Sequence, residues 1–105
     1  MSFNNLTKKY ITSIYNTRIN AFSLGNKVTL VHKEQCVPGT TDEKLPYVLL
    51  SLRQDSSFYK VLVLEGLGWR EASLDWAESY CTNNSIRLFY SVTEANVWLD
   101  TLING

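Results

Sequence analysis

Residues 58–82 read Phe-Tyr-Lys-Val-Leu-Val-Leu-Glu-Gly-Leu-Gly-Trp-Arg-Glu-Ala-Ser-Leu-Asp-Trp-Ala-Glu-Ser-Tyr-Cys-Thr. Val61-Leu62-Val63-Leu64 has no polar residue to alternate with, so a strand covered on both faces, central in its sheet, is expected. Gly66-Leu67-Gly68 ends it. Beyond that turn Trp69, Ala72, Trp76 and Tyr80 recur at three- and four-residue steps, with Ala77 and Cys81 beside them. This is helical spacing, and it runs to about Thr82, where Asn83-Asn84 offers a left-handed stop. Ile86–Tyr90 then reads as a short strand. A strand, a helix and a strand in this order form a crossover unit, with the two strands parallel and the connection right-handed.

Downstream, Ser91-Val92-Thr93-Glu94 is a capping box: the Ser91 oxygen takes the Glu94 amide while the Glu94 carboxylate reaches back. Val92, Ala95, Leu99, Leu102 and Ile103 form an apolar stripe behind it, with Trp98 on its margin, and Asn104-Gly105 closes the helix.

Upstream, Pro46–Arg53 is an apolar run that reads as a strand. Only Gln54-Asp55-Ser56-Ser57 separates it from Phe58–Glu65, and four residues cannot cross over, so this pair is expected to be antiparallel. Gln35–Leu45, with its Pro38-Gly39 turn pair, reads as a loop. Ile19–Leu24 and Lys27–Glu34 flank Gly25-Asn26, a hairpin signal. In the first segment Leu6, Tyr10, Ile14 and Ile11, Tyr15, Ile19 repeat at i, i+4, which predicts a helix across about residues 4–17, against the strand propensity of Thr, Ile and Tyr. The expected fold is α+β, one domain over residues 1–105: a mixed, mostly antiparallel sheet of about five strands with an N-terminal and two C-terminal helices, in the order α-β-β-β-β-α-β-α. The stretch from Phe58 to Leu102 is loosely similar to the tail of STAS-like domains through Phe89, Glu94, Ala95, Trp98 and Leu99. No phosphoacceptor loop accompanies it, and the likeness assigns no family.

The chain has 105 residues, 45% hydrophobic and 19% charged, a globular composition large enough to fold without a metal or disulfide staple. No signal peptide is legible: Tyr10–Asn20 is too polar for an apolar core segment. Apolar runs such as Val61–Leu64 are four residues long, against the ~20 of a membrane span. Cys36 and Cys81 form no C-x-x-C and read as free thiols, so a cytoplasmic location is expected. Net charge is zero but uneven. Residues 1–33 hold Lys8, Lys9, Arg18, Lys27 and Lys33 and no acid, while residues 34–105 hold ten acids against five bases.

No catalytic, metal-binding or cofactor-binding residue is assigned from sequence. Gly66-Leu67-Gly68 lacks the third glycine of a dinucleotide turn, and Glu71 in its place would repel a phosphate. His32 and Cys36 show no spacing that predicts a dyad or a zinc site, so His32 reads as a strand-end surface residue. Asp42-Glu43, Glu65, Glu71, Asp75 and Glu78 are carboxylates that could pair, but Glu71, Asp75 and Glu78 share one helical face and read as solvated. Three Trp, six Tyr and four Phe are more than so short a core readily encloses. Aromatics left on a surface are enriched at protein interfaces. The expectation is therefore a non-enzymatic interaction or regulatory protein that binds another protein and forms a homodimer, through Tyr47, Phe58, Tyr59 and Trp69. Low Gly and Ala with abundant Asn, Ser and Thr hint at a phage or mobile element. A small-molecule pocket protein or small enzyme is the first alternative. Nucleic-acid binding by the basic first third, where Lys8, Lys9, Arg18, Lys27 and Lys33 interleave with Tyr10 and Tyr15, is the second, and a nucleic-acid partner is not expected.

Overall fold

A computed structural model describes residues 3, 5–12, 18–39 and 41–104, without the side chains of Thr41 and Asp42. The elements are β1 (Thr7–Thr12), β2 (Arg18–Leu24), β3 (Val28–Glu34), α1 (Thr41–Gln54), β4 (Tyr59–Glu65), α2 (Glu71–Asn83), β5 (Ile86–Phe89) and α3 (Val92–Asn104). They build one five-stranded sheet in the order β1-β2-β3-β4-β5. The first three strands form an antiparallel meander, with Tyr10 opposite Asn20 and Phe22 opposite Leu30. β3, β4 and β5 are parallel, with Leu30 opposite Val61 and Leu62 opposite Leu88.

The helices divide between the two faces. Leu45, Val48, Leu49 and Leu52 of α1 join Ala77 and Cys81 of α2 over Val31, Leu62, Leu64 and Ile86. On the opposite face, Ala95 and Leu99 of α3 and the N-terminal Phe3 cover Val28, Leu30, Val61 and Val63. β4 is buried on both faces, as its unbroken apolar run predicts. Each fully buried Leu or Val of this sandwich contributes about 1.5–3 kcal/mol. α3 opens as its capping box predicts: the Glu94 amide donates to Ser91 Oγ at 3.0 Å, and the Ser91 hydroxyl meets the Glu94 carboxylate at 3.2 Å.

Two elements correct the sequence reading, so the order is β-β-β-α-β-α-β-α. The expected N-terminal helix is strand β1, paired residue for residue with β2. Thr, Ile and Tyr favour the pleated backbone, and Ile11 buries itself beside Ile19 across the strands. Asn4 and residues 13–17 of that expected helix lie outside the described residues. The expected strand Pro46–Arg53 belongs to helix α1, which also takes in the end of the expected loop Gln35–Leu45. The helix runs through Pro46, which lacks an amide to bond the carbonyl four residues back. Leu45, Val48, Leu49 and Leu52, at helical spacing and at most 3% exposed, outweigh that loss. With α1 as a crossover, β4 runs parallel to β3 rather than antiparallel to a strand at 46–53. In α2 the buried edge is Ala77 and Cys81, with Leu74 and Tyr80 packed beside them, while Trp76 is 42% exposed. Among the described residues, no helix is long and apolar enough to cross a membrane.

Candidate functional site

The parallel strands β3 and β4 end side by side, Glu34 opposite Glu65. Alternation puts His32 and Glu65 on the α3 side. There His32 Nε2 meets Glu65 Oε1 at 2.7 Å, both side chains mostly but not wholly buried. Glu65 Oε2 accepts the Val92 amide at 3.1 Å at the start of α3. The Phe3 ring stands edge-on to His32 with centroids 5.8 Å apart. The Val92 amide, with His32 behind it and partial burial opposing, holds the Glu65 carboxyl below its ordinary value. The pair thus presents an imidazole fixed by an ionised carboxylate.

The loops behind this pair are stitched together. Gly68 N donates to the Gln35 carbonyl at 2.7 Å, Gln35 Nε2 donates to Gly68 O at 2.9 Å, and Trp69 Nε1 donates to Glu65 O at 2.7 Å. Gly66 has φ +94°, and a Cβ there would run into the Gln35 carbonyl; one at Gly68 would meet the Val37 backbone. The two glycines are therefore fixed by close backbone approach, and the turn serves as a strand-to-helix connection. On the other face of the sheet, burial and the nearby Lys44 push the Lys33 ammonium below its ordinary value.

Among the described residues, the α3 side of the β1–β2 hairpin is uncovered around Tyr10, while Phe3 packs on Phe22. Ile11, Ile19 and Ala21 point into the α1–α2 core, so Lys8, Tyr10, Thr12, Arg18 and Asn20 face the other way, and all five are exposed. Lys9 faces the helices and pairs with Asp55 at 3.6 Å. The Arg18 guanidinium lies 5.3 Å from the Tyr10 ring centroid. Lys8, Tyr10, Asn20 and Phe22 line a groove of about 480 Å³. Phe3 connects this face to the histidine, its ring 5.0 Å from that of Phe22.

The residues singled out in the sequence scatter. Trp69 is 8% exposed, packed in the α1–α2 core. Tyr47 lies on α1, 40% exposed. Phe58 is 79% exposed and stacks edge-on against Tyr59, whose ring also meets Trp98 at 5.4 Å. Cys36 is exposed and Cys81 buried, both as free thiols, and burial pushes the Cys81 thiol up to about 12. His32 is a mostly buried member of a pair, not a surface residue. The His32–Glu65 contact spans 33 positions and becomes visible only once β3 and β4 are known to be parallel.

A family model described as a PD-(D/E)XK nuclease superfamily domain matches residues 7–102, nearly the whole chain. The chain belongs to that family. No curated protein and no solved structure matches it significantly. Membership overturns two expectations from sequence and leaves a third without support. A nuclease family points to an enzyme rather than to a non-enzymatic protein–protein interaction module, and the expected homodimer has no support. Nuclease domains act on nucleic acids, so the expectation of no nucleic-acid partner is also corrected. In the sequence, scattered cations and a near-neutral isoelectric point point away from a nucleic-acid partner.

The letters of the family's name are hard to find in this chain. Neither Pro38 nor Pro46 is followed by Asp, and the one (Asp/Glu)-Xaa-Lys triplet, Asp42-Glu43-Lys44, lies in the first turn of α1 rather than on a strand. Nucleases commonly draw on divalent cations held by carboxylates. Among the described residues, no three His, Cys, Asp or Glu side chains converge. The described residues therefore offer no ready-made all-protein cage, which a Mg²⁺ ion held by one or two carboxylates and substrate phosphates does not need.

Proposed function

We propose that this domain acts on nucleic acid and hydrolyses phosphodiester bonds, with His32 as the proton-moving group and Glu65 as the residue that positions it. The observation that carries the reading is the nuclease-family match across residues 7–102. The 2.7 Å His32–Glu65 contact supports it, since an imidazole held by a carboxylate is suited to take a proton from an attacking water and return one to the leaving oxygen. A reducing compartment, the cytoplasm, goes with this reading, because Cys36 and Cys81 are both free thiols.

The test is incubation of the purified protein with end-labelled single-stranded DNA, duplex DNA and RNA, with Mg²⁺, with Mn²⁺ and with chelator. Cleavage is expected, and His32→Gln should lower its rate about 100-fold or more, the scale of a missing acid–base group. Glu65→Gln should lower the rate less while shifting its pH profile. Failure to bind or cleave any of these nucleic acids would overturn the reading. Binding without cleavage would overturn its hydrolytic part.

A further inference from the structure

We infer that the open face of the β1–β2 hairpin is a track for single-stranded nucleic acid, with Lys8 and Arg18 on the phosphates and Tyr10 stacking a base. The inference rests on the proposed function and names the form of its substrate. Three independent observations meet on this face.

The first is charge. Residues 1–33 contain no acid, and the one described ion pair of the hairpin, Lys9–Asp55, lies on the opposite face. Lys8 and Arg18 are therefore cations on an acid-free hairpin, which complements a polyanion. The second is the ring. Tyr10 is 62% exposed on a strand whose next residue, Ile11, is 6% exposed, so the ring is held outward by a buried neighbour. An exposed ring with a guanidinium 5.3 Å from its centroid gives a stacking surface beside a phosphate ligand.

The third is shape and position. The groove beside Tyr10 is lined by Lys8, Asn20 and Phe22 on a sheet surface, not walled by helices. A pleated sheet with an outward ring accepts splayed bases, which a duplex keeps stacked inside. Phe22 touches Phe3 and Phe3 touches His32, on one side of the sheet. The track and the His32–Glu65 pair thus lie on the same side of the sheet, with the buried Phe3 ring packed between Phe22 and His32.

The experiment is fluorescence anisotropy in chelator, which separates binding from cleavage. The probes are labelled oligo-dT, oligo-U and a mixed-sequence duplex, each about 20 nucleotides long, longer than the ~4–16 nucleotides a single-strand groove spans. Both single strands should bind more tightly than the duplex. Tyr10→Ala should weaken single-strand binding about 5-fold or more, and Tyr10→Phe should restore it, the mark of a stacking ring. The double variant Lys8→Ala/Arg18→Ala should reduce the slope of log affinity against log salt by about 1.4, roughly 0.7 for each phosphate no longer neutralised. Arg53→Ala, at the end of α1, should change none of these, and circular dichroism melts establish that each variant is folded. If the wild type binds but the hairpin variants bind equally well, or if duplex is preferred, the track is overturned while the proposed function stands. If the wild type binds no nucleic acid, both fall.

Discussion

At the two edges of the sheet an arginine lies against an aromatic ring, and the two arrangements differ in what lies behind the ring. On β5, Arg87 is 5.1 Å from the Trp98 ring centroid and 5.8 Å from that of Tyr59, and both rings pack on the α3-side core. That cation caps a core. On the β1–β2 hairpin, Arg18 lies over Tyr10, whose ring is 62% exposed and outside both core clusters. The β5 edge is finished by its own helices, whereas the hairpin presents cations and a ring to whatever arrives. The difference teaches where a small domain keeps folding apart from recognition: burial on the β3–β4–β5 side stabilises the fold, and the outward face of β1–β2 is left for a partner.

The comparison is most easily broken on the folding side. Leu62→Ala and Leu99→Ala remove side chains that are 0% exposed, and each should cost about 2–5 kcal/mol in urea denaturation. Ile11→Ala, on the inward face of β1, should fall at the lower end of that range. Losses under about 0.5 kcal/mol at Leu62 and Leu99 would mean that the helical layers are not the stabilising half. A smaller effect is expected at the connection that leads into α2. Gly66→Ala must keep φ near +94° or move its Cβ away from the Gln35 carbonyl, and about 1–3 kcal/mol of strain follows. A melting temperature unchanged from wild type would show that the 66–68 turn is not fixed by that close approach.

The buried half was largely legible in the sequence, and the reason is physical. Val61–Leu64 shows no alternation because both faces are covered, and Ser91 with Glu94 predicts a helix start by chemistry local to four residues. The hairpin and α1 were not legible, because there two periods fit the same letters. Leu6, Tyr10 and Ile14 satisfy a helical step, yet Tyr10 and Ile11 end on opposite faces of a strand. Val48, Leu49 and Leu52 fit a helix, but beside Pro46 the run Tyr47–Leu50 suggests a strand. The candidate site was hidden for a related reason. His32 and Glu65 meet through the register of two parallel strands, and the antiparallel pairing expected from the four-residue connector would never have joined them.

The His32–Glu65 pair lies between the two regions, and acid titration sharpens its place. The Val92 amide and His32 hold the folded Glu65 below its ordinary value of 4.5. Its contribution to stability is therefore complete above the unfolded value and is lost as pH falls through the folded one. Thermal melts should decline below about pH 4.5, and Glu65→Gln should flatten that decline. The Asp55 carboxyl is also lowered: burial pushes it up, but bonds to Ser57 and Thr29 and the Lys9 charge prevail. Some acid sensitivity will thus remain in the variant. An unchanged acid limb in Glu65→Gln would detach the carboxylate from the fold.

The smallest expected effect is the most discriminating. Tyr10 and Ile11 are adjacent on β1, one 62% and the other 6% exposed. Tyr10→Ala and Lys8→Ala should change stability by no more than about 0.5 kcal/mol, the ordinary range for surface substitutions. A strand gains little from an outward ring unless a cross-strand partner packs on it, and the residue opposite Tyr10 is the exposed Asn20. The Arg18 contact adds little, because a solvated cation–ring pair contributes about 0.5–1 kcal/mol and Arg18 remains hydrated without the ring. If denaturation instead shows Tyr10→Ala costing as much as Ile11→Ala, the ring is a structural clamp for the hairpin like Trp98 at the other edge. The contrast between the two edges would then disappear, because both cations would be capping packed rings.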